Sequence, residues 1–159
     1  MLTPKYLIAF VLFALAMPGC DQNSQQQKEF QTLRGKVMAG QYDQTIESLQ
    51  IFIKQWPTGK NASRAGLFLF KAYFAKQDYA NALKWCDWTI DRHPTSLEAK
   101  KCQFKKALIF FAQQDFPAAT KQLQSVANDA SNPLRPEAEQ FIRTLAKLQK
   151  TAQQEQSDP

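Results

Sequence analysis

At 159 residues the chain has the length of about one domain, and its side chains sum to +6 at pH 7. No basic-aromatic module of the usual nucleic-acid-binding kinds accompanies that charge, which leaves anionic headgroups, wall polymer or acidic protein segments as its counterparts. One histidine and three cysteines are a poor supply for a metal centre.

Lys5 precedes a largely apolar run, Tyr6 to Met17, that ends in Pro18-Gly19-Cys20. A dozen residues are too few for a permanent span, which needs roughly 20, and they fit the apolar region of a secretory signal. Gly19 is small enough to precede a cleavage that leaves Cys20 first, and LAMPGC resembles the bacterial lipobox. Residues 1–19 are thus read as a lipoprotein signal peptide and Cys20 as the lipidation site, with an ordinary cleaved signal or an uncleaved anchor as alternatives. Acyl chains on Cys20 would hold the protein firmly to a membrane, since two or more chains anchor stably. Residues 20–28, without an apolar side chain from Asp21 to Lys28, read as a flexible tether.

The repeat domain is read over 29–150. Apolar periodicity predicts a helix from Glu29 to Ala39 ending at Gly40, then one from Tyr42 to Gln55 closed by Trp56-Pro57. The stretch Ala62 to Pro94 reads as two helices around the turn KQD, with Asn61 or Ser63 as the cap of the first. A fifth helix is expected from Leu97 to Ala112 after Thr95-Ser96, and a sixth from Phe116 to Ala127 with Pro117 in its first turn. A last amphipathic helix runs to Lys150, and residues 151–159 read as a disordered tail. Tyr42, Tyr79 and Phe116 lie 37 residues apart, each opening a helix after a short polar turn, which makes the chain an array of helical hairpins. The expected fold is all-α: a right-handed solenoid of three hairpins plus a C-terminal capping helix that covers the last apolar face.

Within each hairpin a small residue in the second helix permits close approach, and a bulky aromatic late in the first fills the adjoining space. The central unit has Tyr73 and Ala82 in these roles and closes on Pro94, and the third has Phe110 and Ala119. This pattern resembles the tetratricopeptide repeat, whose unit is 34 residues. The longer period together with the lipobox is similar to envelope lipoproteins such as the repeat component of the outer-membrane protein assembly machine and the repeat domain of the Tol-Pal coordinator. That resemblance implies a scaffold and no cofactor. It implies a concave face lined by the first helix of each hairpin, here Arg34, Arg64, Leu67, Lys71, Phe74, Lys101, Phe104, Lys105, Leu108 and Phe111. Basic groups among aromatics at that face could grip an extended or helical partner peptide by its carboxylates and apolar side chains. Two other readings stay open: the lysines solvate a helix face while the aromatics pack under the capping helix, or a partner uses the convex side.

The motif search for chemistry is negative. There is no GxSxG, HExxH or glycine-rich phosphate loop, and His93 sits in a turn beside Pro94, so neither an enzyme nor a metal site is expected. Cys86 and Cys102 fall on adjacent helices and are either a disulfide or two buried small hydrophobes. Trp85 and Trp88, three apart, share a stripe that is either packed between hairpins or exposed at a contact. The expected function is a membrane-anchored, non-catalytic adaptor facing the periplasm that binds protein subunits of an envelope complex, in an oligomeric state that the sequence does not give. An accessory factor binding cell wall or anionic polymer is the alternative. Asp21 resembles an inner-membrane retention signal whereas the architecture resembles outer-membrane proteins, so the membrane stays open.

Overall fold

A computed structural model describes residues 19–157. The signal segment before Gly19 and the side chain of Cys20 lie outside what is described. Seven helices and no strand are found among the described residues: α1 Gly19–Met38, α2 Tyr42–Gln55, α3 Lys60–Ala75, α4 Tyr79–Arg92, α5 Leu97–Ala112, α6 Phe116–Asn128 and α7 Arg135–Ser157. Each helix packs on its chain neighbours, and α1 also meets α3 and α3 meets α5, so the first helices of successive hairpins stand side by side. The fold is the expected all-α hairpin array, capped by α7.

The turn inside each hairpin explains the 37-residue register. Gly40, Gln77 and Gln114 occupy left-handed backbone conformations, with φ of 75°, 60° and 62°. At each, two N–H groups reach back to orphan carbonyls of the finished helix: Gln77 to Phe74 at 3.0 Å and Asp78 to Tyr73 at 2.9 Å, Gln114 to Phe111 and Asp115 to Phe110 both at 2.9 Å. Gly40 and Gln41 repeat the pattern onto Val37 and Lys36. These are Schellman caps, which satisfy helix-end carbonyls by turning one residue left-handed. The next helix starts at once. The Asp78 carboxylate accepts from the Asn81 N–H at 3.2 Å and that of Asp115 from the Ala118 N–H at 2.9 Å, so both aspartates are N-caps. The Asn81 side-chain amide, which donates to Asp78 Oδ2 at 2.7 Å, and then the Asn81 backbone N–H hold the Asp78 carboxyl below its ordinary range.

The core lies between consecutive hairpins. Ala82 and Ala119 are fully buried, and Thr45 takes the same place in the first hairpin, its hydroxyl donating to the Gln41 carbonyl. Gly66 on α3 makes a second close approach, unread from the sequence: a Cβ there would lie 2.2 Å from Thr89 Oγ1 on α4. Trp85 and Trp88 meet edge to face at 5.5 Å and pack half-buried against the cluster around Phe30, Leu49 and Phe52, which places them between the first two hairpins. Cys86 and Cys102 are buried thiols, unbridged here, in the cluster that joins α3, α4 and α5.

Several boundaries differ from the periodicity reading. α1 begins at Gly19 and α7 runs to Ser157, so backbone expected as tether and tail is helical over most of its length. Both flanks are rich in Gln, a good helix former, with no Pro or Gly from Cys20 to Lys28 or from Lys150 to Ser157 to stop propagation from a packed core. α3 starts at Lys60 behind Gly59, whose φ is 87°, and no side chain caps it. Ser63 is instead buried and donates to Glu98 Oε2 at 3.2 Å, while of Thr95 and Ser96 it is Ser96 that caps α5, accepting from the Ala99 N–H at 3.0 Å.

Candidate partner-binding groove

Because α1, α3 and α5 stand side by side, the stripe of each that points away from its own hairpin partner contributes to one surface. On α3, Leu67, Lys71 and Phe74 follow at i, i+4 and i+7; on α5, Lys101, Phe104, Lys105 and Leu108 follow at i, i+3, i+4 and i+7. These seven residues line a cavity of about 600 Å³ together with Met38, Phe68, Phe70 and Leu134. A second recess of about 280 Å³, lined in part by Phe30, Arg34, Arg64 and Leu97, shares Leu67, Phe68 and Lys101 with the first. The two form one groove across three helices.

Its charge is uneven. Glu98, only 7% exposed, accepts from Ser63 and pairs with Arg64 at 3.4 Å, so Arg64 is neutralised where it stands. Arg34 is exposed and donates to Gln31 of its own helix, at 3.4 Å. Lys71, Lys101 and Lys105 are different: among the described residues no carboxylate pairs with any of them. Lys71 Nζ lies 3.9 Å from Met38 Sδ, and Lys105 Nζ sits 5.4 Å from the centre of the Phe70 ring, a cation–π contact. Burial lowers the Lys105 pKa from its ordinary value, and the positive charges of Lys101 and Lys71 push the same way. Three ammonium groups therefore gather around aromatic and aliphatic walls without internal compensation.

Nine of the ten residues expected at the concave face line the groove. Phe111 does not: its ring packs on Phe141 of α7 at 5.3 Å and on Phe116 at 5.7 Å, inside the cluster beneath the capping helix. Phe104 does both, lining the groove while approaching Phe141 at 6.5 Å. Missed by the sequence reading were Met38, Phe68, Phe70 and Leu134 of the larger cavity and Phe30, Leu97 and Glu98 of the smaller recess. Phe68 was within reach of it, since Arg64, Leu67, Phe68 and Lys71 are spaced i, i+3, i+4, i+7. Leu134 had no local signal. It is brought in by Asn132, 3% exposed, whose amide donates to Gln103 Oε1 at 2.9 Å and to the Lys100 carbonyl at 3.3 Å while its Oδ1 accepts the Leu134 N–H.

The groove offers cations and apolar rings, which is the chemistry of holding a ligand. His93 lies away from it at the α4–α5 turn, its ring against Trp88 at 5.3 Å. No group of three or more His, Cys, Asp or Glu that could hold a metal ion occurs among the described residues. No curated protein matches the chain. The family model described as "YfiO: Outer membrane lipoprotein" matches it over residues 22–154, which takes in α2 to α6, most of α1 and α7, and the whole groove. The chain belongs to the YfiO family of outer membrane lipoproteins.

Proposed function

We propose that the protein is a lipid-anchored, non-catalytic adaptor of the bacterial envelope that holds an acidic and apolar segment of a partner protein in the groove between α3 and α5. The single observation that carries this is the convergence of Lys71, Lys101 and Lys105, none of them paired with a carboxylate, on an apolar cavity. Cations left unpaired around half-buried rings cost less once a partner supplies carboxylates and completes the cover of the rings, so binding relieves an arrangement that folding alone does not satisfy. Family and fold support interaction, not catalysis, as the role.

On this reading residues 1–19 are removed, Cys20 carries the lipid, and 20–28 space the repeat domain, 29–150, from the membrane, with 151–159 as its tail. The family description favours the outer membrane for that lipid, against the inner-membrane signal suggested by Asp21. The partners are protein subunits of an envelope complex.

Affinity capture of the Phe74→Ala, Lys101→Glu double variant from detergent-extracted membranes tests the groove. The variant is expected to keep its helical circular dichroism and lose its principal partner, and retention of every partner by the folded variant would refute the reading. Binding of wall or other anionic polymer is the competing account, and it would fall steeply between low and physiological salt. A groove with buried rings loses less.

A further inference from the structure

We propose that Cys86 and Cys102 are joined by a disulfide in the exported protein, tying the second hairpin to the third. Both side chains are 0% exposed, one on α4 and the other on the adjacent α5, within a shell formed by Phe70, Ala82 and Ile109. Both belong to one apolar cluster at the packed interface of α4 and α5, which brings the two thiols together there. Two buried cysteines facing each other across a helix interface, in a chain that belongs to an envelope family, meet the conditions under which a bridge forms and persists. Neither has another cysteine partner, because the third cysteine of the chain is Cys20, at the far N-terminal end of α1.

The chemistry needs a disulfide-bearing oxidant of the exported compartment, either a protein or a small molecule. The Cys102 thiolate attacks a sulfur of that disulfide and expels one thiolate, giving a mixed disulfide. The Cys86 thiolate then attacks the Cys102 sulfur and expels the second. Two protons leave the cysteines, and two electrons reduce the oxidant to its dithiol. The timing follows from the packing. In the closed fold the shared hydrogen bond with Cys102, and then burial, hold the Cys86 thiol far above its ordinary range, so almost no thiolate is present and no oxidant reaches it. Exchange therefore takes place while α4 and α5 are still docking, and the finished bond is sealed from reductants.

The bond has a consequence for the groove. Cys102 follows Lys101 directly and stands three residues before Lys105 on the same helix, so a tether from Cys102 to α4 fixes the helix that carries four of the eleven residues lining the larger cavity. The inference depends on export to an oxidising compartment and not on what fills the groove.

The test is thiol blocking with N-ethylmaleimide during lysis of cells that export the full chain, then denaturation in the same reagent and peptide mass mapping. We expect the Cys86 and Cys102 peptides to be unmodified and linked, each taking one adduct only after reduction. Reduction is also expected to lower the unfolding midpoint by roughly 6–12 °C, with no such shift in the Cys86→Ala, Cys102→Ala variant. Adducts on both cysteines without reduction would overturn the proposal.

Discussion

Gly66→Ala is the substitution for which sequence and structure give opposite answers. On propensity alone, alanine in the middle of α3 should stabilise the helix by about 1 kcal/mol. In the fold, the added Cβ would fall 2.2 Å from Thr89 Oγ1 and 3.1 Å from two carbons of the Trp88 ring. Thr89 cannot simply withdraw, because it is fully buried and its hydroxyl donates to the Trp85 carbonyl at 2.8 Å. Relief requires either a new Thr89 rotamer that gives up this bond or separation of α3 from α4, and overpacking of this kind costs about 1–3 kcal/mol. Giving up the buried Thr89 bond, or the packing lost by separating the helices, adds about 1 kcal/mol and cancels the propensity gain, so the expected net loss is about 1–3 kcal/mol, read as a lower urea midpoint followed by circular dichroism. Thr89→Ala should cushion the blow, so that the double variant loses less than the two single variants added together. A Gly66→Ala protein as stable as the parent, or more so, would refute the close approach of α3 to α4.

Other expectations follow from the turns, the charges and the groove. Gln77→Gly and Gln114→Gly should each raise stability by about 0.5 kcal/mol, because glycine adopts the left-handed cap without strain, whereas Gly40→Ala should lower it by about 1 kcal/mol; urea titration of the three variants checks both signs. The Lys100 ammonium, 2.6 Å away, together with Ser131, holds the Asp129 carboxyl at about 2. Since this folded pKa lies below the ordinary carboxylate value, the pair's contribution is complete above about pH 4 and is lost as the pH falls towards 2. Lys100→Ala should flatten the pH dependence of stability in that window. The groove variant and the disulfide mapping stand as given above.

Much of the array was legible because the repeat writes its register twice, once in apolar spacing and once in the turns. Tyr42, Tyr79 and Phe116 are the first residues of α2, α4 and α6, and Ala82 and Ala119 are the buried small residues that spacing assigned them to be. What stayed hidden depends on how helices dock. Phe111 and Phe104 differ by seven residues on one helix, so periodicity places them on the same stripe. Only the position of α7 decides that the first is covered by Phe141 and the second stays at the groove. Asn132 is another such case, a polar residue in a connecting segment that is buried because α5 supplies its partners. Gly66 reads as a weak point in a helix until Thr89 is placed opposite it. The pairing of Arg64 with Glu98, which removes one cation from the clamp, likewise spans two hairpins.

The groove claim is tested most directly by lysine-specific crosslinking in intact envelopes, followed by mapping of the crosslinked peptides. The account predicts that crosslinks to a partner concentrate at Lys71, Lys101 and Lys105 and not at the exposed Lys54 and Lys121 of α2 and α6. They should trace to one acidic and apolar segment of that partner. A stable partner crosslinked only through Lys54 and Lys121, with the groove lysines still open to modification in the complex, would contradict it.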